Sequence, residues 1–375
     1  MTRKVRIFDL QFDEDFRREF AEGCEQIFDE AYLTDHTFVR RFEQEFATYA
    51  STPFSVMTTN CTSALEVALK ALGVEGKEVL LPTNTFIATH VAILNAGGIP
   101  RPLDVEADYF SLSPEKVANH ITPETGAVIT VHIGGLISPS ITKLVELCEK
   151  NGVPLLEDCA HAHGASYQGT PAGSFGVAGC FSHYLTKVMT TGEGGSVVTH
   201  DEHLYDRMMS LRRFGMDPNL SISHLLPGGH NFKVTEFQGL LGLLELKRLP
   251  QRLKQRQQIA AHYQQRLAGT EWRAIGHAPD SVGSYYKQVV LPPYRRSKVS
   301  AFFASREIAL TGGVYYIPLH QQPVYKERYA HLSFPVSDAF CSTHICPPCY
   351  PELTLEDIDA VVDTMLAMDQ EQSEA

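Results

Sequence analysis

The chain has 375 residues, 43% hydrophobic and 20% charged, enough for one large or two medium domains with real cores. Its net charge of −12, from 32 basic and 44 acidic residues, argues against a nucleic-acid binder, which presents a basic face; a local cationic cluster can still hold an anionic small molecule. No apolar run is long enough to cross a membrane, and residues 1–14 lack the apolar stretch and cleavage site of a secretory signal, so the expected compartment is the cytoplasm.

From Phe54 to Thr199, short β-rich runs alternate with helical patterns. Ser55–Thr59 reads as a strand, followed by a helix over Ala64–Leu72 with Leu65, Ala68, Leu69 and Leu72 on one face and Gly73 as its C-terminal cap. Val79–Leu81 is a short strand stopped by Pro82. Ser113-Pro114-Glu115 is a helix start, with Ser as N-cap and Pro at the first helical position. Ala127–Val131 is a strand and Pro139–Lys150 a helix. Val153–Leu156 is a strand that delivers Glu157 and Asp158 at its carboxyl end. Gly179–Ser182 and Ser196–Thr199 are further strands. Strands separated by helices imply a mainly parallel α/β sheet, with ligands gathered beyond the carboxyl ends of its strands. Thr235-Glu-Phe-Gln238 is a capping-box pattern opening a long helix, which Pro250 is expected to end or kink. The texture changes there, so residues 1–249 are read as a large domain and residues 250–375 as a smaller C-terminal α/β domain. Gln251–Leu267 and Thr354–Met368 are amphipathic helices within the latter.

Three segments carry chemistry. Thr58-Thr-Asn-Cys-Thr-Ser-Ala-Leu65 sets small polar residues between a strand and a helix, which is a ready anion site; on its own, plain capping by Thr62 or Asn60 is the ordinary reading. Leu155-Leu-Glu-Asp-Cys-Ala-His-Ala-His-Gly164 could supply a metal site from Asp158, His161 and His163, a polar rim, or a carboxylate facing a cofactor ring nitrogen. Gly179-Cys-Phe-Ser-His-Tyr-Leu-Thr-Lys-Val-Met-Thr-Thr-Gly-Glu-Gly-Gly195 places Lys187 in a loop between strands. Its near neighbours are small or apolar, and it is the only Lys or Arg between Lys150 and Arg207. Desolvation lowers a lysine's pKa, as an imine-forming amine requires. A phosphate cradle, an acid and an imine-forming lysine are together what pyridoxal 5'-phosphate (PLP) needs. Eight cysteines are scattered, and Cys346-Pro-Pro-Cys349 has no second pair to complete a zinc site, so buried thiols and no metal are expected.

With these segments in view, the chain resembles the DegT/DnrJ/EryC1/StrS sugar aminotransferase family from about Leu33 to Leu366. The most specific matches are Leu156–Gly164, Cys180-Phe-Ser-x-x-x-Thr-Lys187, Gly192-Glu-Gly-Gly195, Gly229–Gln238 and Tyr316-Ile-Pro-Leu-His320. The resemblance implies a fold-type I PLP-dependent transferase acting as a homodimer with shared active sites. Lys187 matches the Schiff-base lysine and Asp158 the acid opposite the pyridine nitrogen. His161 matches a residue near the cofactor's phenolic oxygen, and Phe86 the aromatic that stacks on the ring. Ser182, Thr62 and the backbone of Cys61 match the phosphate cradle, and Asn231 a residue that reaches the neighbouring subunit's phosphate. Tyr316 and His320 are implied substrate contacts; Arg212 and Arg213 are weaker candidates that serve equally as a solvated helix end. Lysine rather than histidine at 187 favours transamination over dehydration. The implied reaction moves an amino group from L-glutamate to a keto-sugar, preferably nucleotide-linked, alternatively a nucleotide-free keto-sugar or keto-cyclitol. Three features depart from the family pattern: Cys61 for glycine in the cradle, Lys233 for arginine, and a segment Leu33–Phe38 without Gly-Pro. A metal hydrolase and a non-catalytic regulator of the same fold are the competing classes.

Overall fold

Aliphatic runs too short for helices build a seven-stranded sheet. The computed structural model describes residues 5–217, 223–306, 308–310 and 312–373. The strands are β1 (Phe54–Thr58), β2 (Glu78–Pro82), β3 (Ile99–Leu103), β4 (Thr125–Val131) and β5 (Leu155–Asp158). After the short β6 (Ser166–Tyr167) and β7 (Thr170–Pro171), which lie outside this sheet, come β8 (Ala178–Ser182) and β9 (Gly195–Thr199). The order is β1-β9-β8-β5-β4-β2-β3. All neighbours pair in parallel except β9, which opposes both β8 and β1. Every strand but β9 therefore delivers its carboxyl end to one edge.

The helices are α1 (Glu14–Glu30), α2 (Thr37–Tyr49), α3 (Cys61–Leu72), α4 (Ile87–Asn95), α5 (Pro114–Ala118), α6 (Ile141–Lys150), α7 (Glu202–Arg212), α8 (Glu236–Leu267), α9 (Arg296–Ala304), α10 (Pro335–Thr343) and α11 (Leu355–Ser373). Successive strand residues point to opposite faces, and they feed two cores. Val56, Val79, Ile129, Leu156 and Val197 pack with α3, α4 and α7. Their neighbours Met57, Leu80, Val128, Leu155 and Val198 pack with α2, α6 and α8. Strands covered on both faces must be apolar throughout, and β4 is buried along its whole length. Gly239 of α8 lets that helix lie against α2: a Cβ there would come 2.5 Å from the backbone nitrogen of Val39.

Two expectations change. α8 runs unbroken through Pro250. A proline inside a helix costs about 3 kcal/mol, but Leu246, Leu249 and Leu253 are buried around it, and each contributes about 1.5–3 kcal/mol. Residue 250 is thus no break in the chain's structure. The buried contacts of α8 change partners between Leu253, in the sheet's core, and Ile259, in a third cluster with α9, α10 and α11. β5 is also shifted to include Glu157 and Asp158 within the strand. No helix among the described residues is long and apolar enough to cross a membrane.

Candidate active site

Loops leaving the carboxyl edge surround a cavity of about 540 Å³. Asn60, Cys61 and Thr62 line it after β1, Phe86 after β2, Asp158 and His161 from β5 onward. Ser182 ends β8, Tyr184, Thr186 and Lys187 follow it, and Glu193 precedes β9. Tyr286 and Tyr315 close it from the C-terminal part of the chain.

Neighbouring carboxylates on β5 face opposite ways. Glu157 turns into the fold, where it accepts backbone N–H bonds from Gly173, Phe175 and Gly176 at 2.7–2.9 Å and meets His132 Nε2 at 2.9 Å. Asp158 turns to the cavity. The Thr89 hydroxyl donates to it at 2.8 Å and the Ala160 N–H at 3.1 Å. It has no ion-pair partner among the described residues, and burial raises its pKa while those two hydrogen bonds lower it.

Lys187 is held by its loop rather than by a carboxylate. Its N–H bonds to Tyr184 C=O at 2.9 Å, and the His183 C=O accepts from Thr191 N–H, closing the loop across β8 and β9. The buried Glu245 of α8 accepts the Thr190 N–H at 3.1 Å. Burial brings the Lys187 amine down to about 8, against the opposing pull of the Cys61 and Asp158 charges. Its Nζ lies 4.3 Å from the centre of the Tyr286 ring. Tyr286 stacks on His161 at 4.4 Å, and its hydroxyl lies 3.0 Å from the Thr186 hydroxyl. At the other end of the cavity α3 begins. Asn60 caps it by accepting from Ser63 N–H at 2.9 Å, so the sequence's capping reading is correct. The first N–H groups of a helix have no intrahelical partner, and Asn60, Cys61 and Thr62 at this end of α3 line the cavity together with Ser182.

Cys61, Thr62, Phe86, Asp158, His161, Ser182 and Lys187 thus share one cavity. Asn231, Tyr316 and His320 do not line it. Asn231 is exposed, bridged through its backbone to Arg213. His320 binds the Thr83 hydroxyl and Asp338, each at 2.9 Å. Tyr316 lies under the Arg296 guanidinium at 3.9 Å; the residue that enters the cavity is its neighbour Tyr315. Arg212 is neither solvated nor in the site: it is 1% exposed, bound to Glu43 at 2.6 Å and Asp35 at 2.7 Å. Arg213 sits beside Asp35 at 3.6 Å. His163 is turned away among Phe46, Phe181 and His183, so Asp158, His161 and His163 form no ligand set. The one tight group among the described residues is His132, Glu157 and Cys159, and the oxygens of Glu157 are already taken. Tyr286, Tyr315 and Thr89 were missed. Thr89 lies three positions after Phe86, and Tyr315 immediately precedes the Tyr316-Ile-Pro-Leu-His320 segment.

The DegT/DnrJ/EryC1/StrS aminotransferase family model matches residues 14–366. The chain belongs to this family. A GDP-perosamine synthase of Vibrio cholerae is 30% identical over 321 residues, 84% of this chain and 86% of that one. DesV of S. venezuelae, solved in complex with a ketimine intermediate, superposes with a TM-score of 0.88 at 30% identity, covering 95% of each chain. DesI, solved in the presence of its TDP-sugar product, gives 0.87 at 28% identity over 95% of this chain and 91% of that one. This family member is a PLP-dependent aminotransferase with the fold-type I architecture. Its cavity suits the cofactor: a helix N-terminus for a phosphate, a buried carboxylate lacking a cation, and a desolvated lysine amine.

Proposed function

We propose that this enzyme moves an amino group from L-glutamate to a keto-deoxysugar carried on a nucleotide, in the cytoplasm, as a homodimer. The observation that carries the reading is Lys187, a desolvated amine facing the same cavity as the Asp158 carboxylate. The GDP- and TDP-linked sugars in the names of similar proteins support the nucleotide, and eight free cysteines suit a reducing compartment.

Thr62, Ser182 and the backbone at Cys61 would hold the cofactor's phosphate. Phe86 would cover its ring, and Asp158, oriented by Thr89 and Ala160, would keep its ring nitrogen protonated. When bound, PLP supplies an electron sink for charge left on carbon. Lys187 anchors it and, once displaced by substrate, its amine accepts and later releases the proton in transfer. Lys187 suits this because near pH 8 the amine exists in both forms. Asn231 of the partner subunit would complete the phosphate site, and exposed Phe86, Tyr184 and Leu185 near the mouth offer apolar surface for that contact.

The test is the visible spectrum of the purified protein. A yellow band that bleaches with L-glutamate and returns with a nucleotide-linked keto-sugar is expected. Return only with nucleotide-free keto-sugars or keto-cyclitols would move the substrate to that class, and absence of any band after PLP is added would overturn the reading.

A further inference from the structure

The open side of edge strand β3 carries acceptors and no donors. Ile99 N–H bonds inward to the Lys77 carbonyl at 2.8 Å, and the Leu103 carbonyl accepts from Thr83 N–H at 2.9 Å. Alternate residues of a strand bond to the same neighbour, so Ile99, Arg101 and Leu103 face β2 while Pro100 and Pro102 face away from it. Proline has a carbonyl and no N–H. The free edge therefore accepts hydrogen bonds and gives none, which also bars another strand from pairing there. Tyr329 donates to the Pro100 carbonyl at 3.4 Å; the Pro102 carbonyl has no such partner among the described residues.

A cavity of about 460 Å³ runs along this edge, between α5 and residues 328–334. It shares no lining residue with the active-site cavity, and its volume is in the range of small-ligand sites. Tyr329 and Phe334, both buried, give it an apolar wall. The two acids of the lining are already engaged. Glu78 pairs with Arg101 at 2.8 Å. Asp104 accepts from the N–H groups of Val336 and Ser337 at 3.1 and 2.9 Å and from the Ser337 hydroxyl at 2.7 Å. Lys116 and Arg328 also line the cavity, are exposed, and have no carboxylate partner among the described residues. His120 Nδ1 lies 2.7 Å from the Lys116 carbonyl. A carbonyl only accepts, so Nδ1 carries the hydrogen and Nε2 of the neutral ring is a further acceptor. In a chain of net charge −12, the uncompensated side-chain charges of this cavity are positive, and a local cationic pair draws an anion whatever the global sign.

We infer that this groove is a second ligand site, separate from the active site, for a phosphorylated sugar or polyol. Its phosphate is drawn by Lys116 and Arg328, and its hydroxyls donate to the Pro102 carbonyl and His120 Nε2. Phosphate alone would use the cations and leave those acceptors unmet. A peptide strand would bring carbonyls for which the edge has no N–H.

The test is a calorimetric titration of the PLP-loaded enzyme with glucose 1-phosphate, inorganic phosphate and glucose. Glucose 1-phosphate is expected to bind at least about tenfold more tightly than either fragment. Lys116→Gln combined with Arg328→Gln should weaken it about tenfold or more, with the visible band and basal turnover unchanged. Lys116→Arg combined with Arg328→Lys, which keeps both charges, should bind like the wild type and so separates lost charge from lost fold. No binding of glucose 1-phosphate would overturn the inference. Binding that the double Gln variant leaves unmoved would also overturn it, since the ligand would then sit elsewhere, the active-site cavity included. Inorganic phosphate binding as tightly as glucose 1-phosphate would overturn it by showing that the acceptor edge plays no part. An oligoglutamate peptide that binds through Lys116 and Arg328 more tightly than glucose 1-phosphate would overturn it in favour of an acidic protein partner.

Discussion

At the end of β5, one residue of register separates a carboxylate bonded into the fold from one that lines the cavity. Glu157 is saturated by three backbone donors and His132, while Asp158 faces the cavity. Their conservative variants should therefore fail differently. Asp158→Asn keeps the fold and lowers kcat by about a hundredfold or more, because the ring nitrogen loses its counter-charge. Glu157→Gln leaves a buried donor set mismatched, costing about 1–3 kcal/mol in urea unfolding, with the spectrum of bound cofactor retained. Equal loss of stability in both would refute the division of labour. Lys187 gives a pH prediction. Only the neutral amine attacks the cofactor's aldehyde, and its pKa of about 8 lies below the ordinary 10.5. The rate at which cofactor-free enzyme captures PLP should rise with pH and level off just above 8; a rise continuing toward pH 10 would mean an exposed lysine. That Lys187, Asp158, Cys61, Thr62 and Ser182 share one cavity was legible because the segments that carry them are local in sequence. Tyr315 was not: Tyr315 and Tyr316 are adjacent, and no sequence pattern there says which one faces inward.

Among the elements, the strands were legible where alternating apolar residues feed two cores. β3 was not read, since Pro100 and Pro102 argue against a strand; as an edge strand it tolerates both. The opening of α8 was read correctly from its capping box. Its second role was invisible. Glu236 is fully buried and accepts the N–H groups of His36, Phe38 and Val39 at 2.7, 2.6 and 3.3 Å, capping α2 from about 200 positions away in sequence. No side chain near α2 does this job, as His36 makes no capping bond of its own. Removing the carboxylate in Glu236→Ala should destabilise the protein by about 3 kcal/mol, read from the chemical-denaturation midpoint. A change under about 0.5 kcal/mol would show that water replaces the cap.

For the molecule as a whole, burial of neutral histidines sets the acid limit. His90 and His344 are depressed to about 4 and His183 to about 3, chiefly by burial. The unfolded chain takes up protons near pH 6.5 that the folded chain refuses. Stability is therefore full above pH 6.5 and falls as pH drops toward 4, each histidine adding a slope of about 1.4 kcal/mol per pH unit. Urea midpoints between pH 7 and 5 check this; a flat profile would mean that these rings are already charged in the fold.

The lining of the cavity runs from Thr59 to Tyr315, with every wall borrowed from a different stretch of chain. A nascent chain emerging from the ribosome presents Lys187 well before Tyr315, the last residue of the lining. Colour from captured cofactor thus reports on translation past Tyr315 and tertiary assembly at once, and a premature stop before residue 315 leaves the polypeptide without an enclosed site.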